Sequence, residues 1–222
     1  MAGSLNCSRS RAESAGCGLP RPPRPQGLLM TPQHTHRDGH LHDLRGIGRS
    51  DFDAACDALT RHVAGHYGVV VDVADVPAPF KGDLDGSRIV VGRGNDAEER
   101  LFLVAHLFGH TVQWNTCDRS RRLGMTMPVN PSAAMLDALA AYEREACRYS
   151  QTALHESGVT AFDQWLADYS ACDLAFLRHL YLTGKRRDFR AFWSDGQPLI
   201  EPLAIPPFSL HRWRRRTQAI VL

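Results

Sequence analysis

The chain has 222 residues, 43% of them hydrophobic, and a formal net charge of +2. That is enough for one domain with appendages or two small ones, and a charge so nearly balanced gives no overall reason to expect nucleic acid as the main partner. No apolar run reaches the roughly 20 residues that span a bilayer, and the polar, arginine-bearing N-terminus lacks the apolar stretch of a secretory signal. The six cysteines, Cys7, Cys17, Cys56, Cys117, Cys147 and Cys172, form no CxxC pair and no dense framework. In a chain of this size they read as reduced thiols, and the expected location is cytoplasmic, with no membrane association.

Residues 1–29 combine Ser, Arg and Gly with the run Pro20-Arg21-Pro22-Pro23-Arg24-Pro25. Such a segment cannot bury enough apolar surface to offset the entropy of ordering it. The composition changes abruptly just before Met30, which makes Met30 a candidate start. Residues 30–49 stay polar and carry His34, His36, His40 and His42, which read as incidental to a polar tail. A disordered tail is therefore expected over residues 1–49.

Ser50 is a plausible cap for a helix through about His66, with Phe52, Cys56, Leu59 and Val63 on one face. Val69-Val70-Val71 reads as a strand closed by Pro77 and Pro79. Asp83–Gly86 reads as a turn and Arg88–Val91 as a second strand, with a third strand around residues 79–82 left open. Two strands so close together predict a small antiparallel sheet. Asn95, with Glu98 three residues on, predicts a capping box. The helix it starts is apolar nearly all round from Leu101 to Val112, so it belongs in the core. Residues 115–131 read as a loop with Arg119, Arg121 and Arg122. Two long helices follow, from about Ser132 to Glu156 and from about Ala161 to Leu182. The last segment, 184–222, is rich in Pro and aromatics and reads as an extended wrap. Arg212, Arg214, Arg215 and Arg216 beside Trp213 read as a solvated face or partner contact, since no DNA-binding helix pair accompanies them. The expected fold class is α+β, mainly helical, with its folded domain at residues 50–183.

His106 and His110 stand four residues apart, so both imidazoles project from one face of the apolar helix. This is the spacing with which a helix presents two nitrogens to one tetrahedral zinc ion. The plainer reading is two core histidines bonded to backbone, each needing its own partner in a region poor in polar groups. On the helix from Ser132 to Glu156, the residues Leu136, Leu139, Ala146, Ser150 and Ala153 define an inward face, and Glu143 falls in its middle. A lone carboxylate there would be costly, whereas a third metal ligand would be satisfied. Glu145 lies well round that helix, and Cys117 and Cys147 are candidates for stray ligation, though buried cysteine usually packs as an apolar residue.

The segment Val104-Ala105-His106-Leu107-Phe108-Gly109-His110 follows a Gly-Ser-Arg-Ile-Val-Val strand and precedes Tyr142-Glu143-Arg144-Glu145-Ala146-Cys147-Arg148-Tyr149. In that order these segments resemble the ImmA/IrrE metallopeptidases, which carry a strand, an AHELGH helix and a downstream ExEANxFA helix. The resemblance covers residues 50–156 and implies a zincin-like domain, with His106 and His110 as zinc ligands. It implies Glu143 as the third ligand, with Glu145 as the alternative. The family's Asn is Cys147 here, so the resemblance implies that Cys147 either hydrogen-bonds a ligand from behind or serves as another alternative ligand. The family's catalytic glutamate, which activates water and shuttles its proton to the leaving amine, is Leu107. Leucine occupies the general-base position and can do neither, and its methyl groups are expected to make the open side of the metal less wet. Among possible substitutes, Glu98 and Glu99 are two turns upstream, and Asp118 lies in the following loop.

Three functional expectations follow. The first is a zinc-binding, catalytically impaired relative (a pseudoenzyme) that holds a peptide or regulatory protein in the former substrate cleft. The second is a working metallopeptidase that cleaves a regulatory protein with an unrecognised base, Asp118 or Glu145. The third is a metal-free structural or interaction domain.

Overall fold

The computed structural model describes residues 46–126 and 131–213. The Pro-rich run, Met30, the four tail histidines and Arg214, Arg215 and Arg216 lie outside the described residues. Helix α1 (Arg49–Tyr67) buries Phe52, Ala55, Leu59 and Val63 at helical steps, and Cys56 on its flank is only half-buried. It stops at Gly68, whose φ of 72° is open to glycine at little cost and lets its N–H reach Ala64 O at 3.1 Å.

Strands β1 (Val70–Ala74), β2 (Gly82–Leu84) and β3 (Arg88–Gly92) form one sheet in the order β1-β3-β2. β1 pairs with β3 in parallel, Val70 opposite Arg88, while β2 pairs with β3 antiparallel. The sheet is therefore mixed, which corrects the antiparallel expectation. The reason lies in the connection. Asp83 and Leu84, the first two residues of the expected turn, pair with Gly82 as the edge strand, so the chain reverses after β2 and returns along β1's direction. That reversal is an Asp–Gly turn: the Asp85 carboxylate accepts from Ser87 N and Arg88 N, both at 2.9 Å, and Gly86 takes a φ of 95°. Ile89 and Val91 face the core, while Val70 and Val73 are about half exposed.

Helix α2 (Ala97–Thr116) is buried from Leu101 through Trp114. Its capping box is Asp96 with Glu99, one residue later than expected; Glu99 N donates to Asp96 Oδ1 at 2.8 Å. Asn95 instead ties the sheet, donating to Lys81 O at 2.8 Å. The expected loop holds a short helix, α3 (Asp118–Gly124). Helix α4 (Ala133–Glu156) starts at the Ser132 cap, and α5 (Asp163–Thr183) follows. α2 and α4 approach closely at Gly109, where an added Cβ would lie 2.1 Å from Ala146 O; only a residue without a Cβ fits there.

Beyond α5 the chain makes one 3-10 turn, Phe189–Phe192, and then runs extended. It stays on the core through Trp193, Leu203, Phe208 and Trp213, and Trp213 N donates to Asp85 O at 2.7 Å. Among the described residues, no helix is long and apolar enough to cross a membrane.

Candidate metal centre

His106 and His110 lie one turn apart on the face of α2 that meets α4, and both are buried. The packing that brings α4 against Gly109 also sets Glu143 opposite them. His106 Nε2 and His110 Nε2 are 2.9 Å apart, and Glu143 Oε2 lies 3.1 Å from the first and 3.0 Å from the second. One ligand atom from each of the three residues falls within 4.8 Å of the others. Tetrahedral ligands at roughly 2.0–2.1 Å from a zinc ion would be about 3.3 Å apart, so a few tenths of an ångström of spreading would admit one.

The far nitrogens of both rings are already engaged. His110 Nδ1 lies 2.8 Å from Gln113 Oε1, and the Gln113 amide group donates to Tyr142 O at 2.9 Å and to Glu145 Oε2 at 2.6 Å. Because both amide protons of Gln113 are committed, its oxygen faces His110 and must accept from Nδ1–H. That places a proton on Nδ1 and leaves Nε2 as the nitrogen turned toward His106 and Glu143. His106 Nδ1 lies 3.6 Å from Cys147 Sγ. Phe102 stacks on the His106 ring at 5.0 Å and Tyr142 on the His110 ring at 4.4 Å, which holds both rings in place. Such partners orient metal-binding histidines and raise their basicity.

The charges in the cluster depend on one another. Burial disfavours the Glu143 carboxylate, but His110 and His106 outweigh it and hold Glu143 well below the usual carboxylate range. Burial also works against a charged His106, yet the bonds to Cys147 and Glu143 prevail and raise it well above an ordinary histidine. His110 is lowered, by burial first and then by the neighbouring His106. The cluster thus holds a proton between two imidazoles and a carboxylate, a position a divalent cation can take.

The remaining expected residues take different places. Glu145 is outside the cluster and reaches it only through Gln113, and Cys147 backs His106. Asp118 is exposed and paired with Arg121 at 2.6 Å. Arg121 also lies over the Trp213 ring at 3.7 Å, and Leu123 and Gly124 of α3 border the site. Leu107 is fully buried, but it turns toward the sheet: a Cβ placed on Gly82 would lie 3.0 Å from its methyl group. It lines neither the crevice nor the groove at the centre, so it does not dry the open side as expected.

Sequence reasoning missed two residues. Gln113 sits three positions after His110 on the same face, and that spacing was the available signal. Asp173 of α5 lines the crevice at the centre with Phe102, His106, His110 and Glu143. It also lines a larger groove of about 450 Å³ between α4, α5 and residues 197–201. Burial pushes its carboxyl up to about 7, with His106 opposing the rise and Glu143 adding to it. An acid among the apolar residues Tyr169, Phe176 and Leu177 was its only mark in the sequence. No family model matches the sequence, and no curated protein or solved structure matches it either.

Proposed function

We propose that this chain binds one zinc ion through His106, His110 and Glu143, in the manner of an ImmA/IrrE-like metallopeptidase whose proton-transfer route is closed at Leu107. The observation that carries this reading is the buried convergence of three ligand atoms from two helices, with the second nitrogen of each imidazole already engaged. A zinc ion held there would polarise a carbonyl and ease ionisation of water. The groove supports a peptide or regulatory-protein segment as the partner. It opens on His106 and Glu143, offers Ala167, Ala171 and Leu174 as an apolar wall, and carries the exposed Arg144 at its side. Peptide capture with little cleavage by the family's own route is the resulting activity.

Elemental analysis of untagged protein tests the centre. Near-stoichiometric zinc is expected in the wild type and its loss in His110→Ala. Unchanged zinc in that variant would move the metal elsewhere, and a metal-free wild type would favour an interaction domain without metal. The reading as a working hydrolase has its own support, a buried acid in the cavity, Asp173.

A further inference from the structure

A carboxylate taken out of water needs partners, because an unpaired buried charge is among the most expensive groups a fold can hold. Four acids are buried among the described residues: Asp85, Glu98, Asp168 and Asp173. Asp85 accepts from Ser87 and Arg88. Glu98 accepts from Trp165 Nε1 at 3.0 Å and pairs with Arg190. Asp168 accepts from Gln164 Nε2 at 3.0 Å and Gln197 N at 2.8 Å. No hydrogen bond or ion pair with a described residue engages Asp173, although it is only 6% exposed.

Its place explains the exception. Asp173 lines both the crevice and the groove, and His106 and Glu143 line both as well. It is not one of the three residues whose ligand atoms cluster. It is thus a carboxylate beside a metal centre, outside the ligand set, facing the space where a bound molecule would lie. A general base occupies that relation to its substrate.

We propose that Asp173 is the proton-accepting carboxylate of this site, taking over from α5 the role that Leu107 cannot fill from α2. The reaction is amide hydrolysis. A water molecule in the groove gives a proton to Asp173 as its oxygen bonds to the peptide carbonyl carbon. The C–N bond then breaks, and the same proton passes from Asp173 to the departing nitrogen. An amide and one water become a carboxylic acid and an amine, and Asp173 returns to its starting state. The inference rests on the metal centre proposed above and goes beyond it by giving the site a route to chemistry.

The test compares the zinc-loaded full chain with Asp173→Asn and Asp173→Glu, measuring zinc content and affinity for acetohydroxamic acid. That probe chelates through two oxygens, and its hydroxyl proton must pass to a neighbouring base. Zinc content is expected to be equal in all three proteins. Acetohydroxamate should bind at least 10-fold more weakly to Asp173→Asn, and Asp173→Glu should recover part of the loss. Cleavage of a mixture of internally quenched peptides should fall about 100-fold or more in Asp173→Asn. Unchanged acetohydroxamate affinity in Asp173→Asn would overturn the proposal. So would zinc loss in that variant, which would make Asp173 a ligand. A wild type that binds no zinc would overturn the metal centre itself, a failure the zinc measurement keeps separate.

Discussion

Two regions along α2 hold a buried acid, and they treat it in opposite ways. Near the start of the helix, Glu98 is 3% exposed and fully engaged by the Trp165 indole and the Arg190 guanidinium. Arg190 is itself held over the Trp193 ring at 4.6 Å, so the 3-10 turn and the extended segment after it are fastened to the core through this acid. Further along, Asp173 faces His106 and Glu143 with no partner among the described residues. The first arrangement is how a fold stabilises a charge it must bury. The second leaves a charge poorly compensated, and such exceptions concentrate where a ligand or a reaction uses them. The contrast says that Glu98 serves the structure and Asp173 serves the site.

The largest expected effect breaks the first region. Arg190→Ala leaves Glu98 buried without its cation, a change of the kind that costs about 3–5 kcal/mol. Urea unfolding should show that loss, and zinc content should stay at the wild-type level because Arg190 bonds to Glu98 and to none of the three ligands. A stability change under about 1 kcal/mol would mean that the pair contributes no more than an exposed ion pair does.

The opposite sign is expected in the second region. The Asp173 carboxyl stands at about 7 in the folded chain, above an ordinary aspartate, so the folded state binds more protons than the unfolded one between about pH 4 and pH 7. The stability linked to that proton is fully present below about pH 4 and is lost as pH rises through 7. In metal-free protein, Asp173→Asn should therefore be more stable than wild type at pH 8, by at most about 4 kcal/mol. The gain should shrink toward zero near pH 4. A variant less stable than wild type at pH 8 would show that the carboxylate has a structural partner, and the contrast with Glu98 would collapse.

The same two regions show what the sequence could and could not disclose. His106 and His110 were legible because helical spacing alone places them on one face, and Glu143 because apolar neighbours mark the inward side of α4. The structure brings these three together. The start of α2 was misread by one residue because Asn95 and Asp96 can both cap, and Glu98 and Glu99 can both close the box. What decides is tertiary: Trp165 and Arg190 claim Glu98, and Lys81 O claims Asn95. The parallel pairing of β1 and β3 was hidden because β2 is a three-residue strand, Gly82-Asp83-Leu84, with no β-branched residue. Leu107 was read as facing the metal from its position in the motif alone. Its direction depends on where the sheet lies, and Gly82 leaves the space it fills.

The smallest expected effect sharpens the comparison by asking whether the two regions are independent. Gly109→Ala places a methyl where Ala146 O stands, 2.1 Å from the new carbon, so α2 and α4 must separate locally. Overpacking of this kind typically costs about 1–3 kcal/mol. Alanine's better helix propensity returns up to about 1 kcal/mol, so the net loss of stability should be about 1–2 kcal/mol. The separation acts directly on the centre, because His106 and His110 flank Gly109 on one helix while Glu143 sits on the other. Zinc affinity should therefore fall by at least 10-fold, although no ligand has been changed. Arg190→Ala perturbs the far end of the same helix and should leave that affinity alone. The double variant should then lose stability additively, within the roughly 0.3–0.5 kcal/mol expected of sites that share no partners. A larger deviation, or a zinc affinity that responds to Arg190→Ala, would show that α2 transmits strain from the Glu98 anchor to the histidines. The two buried acids would then belong to one coupled unit.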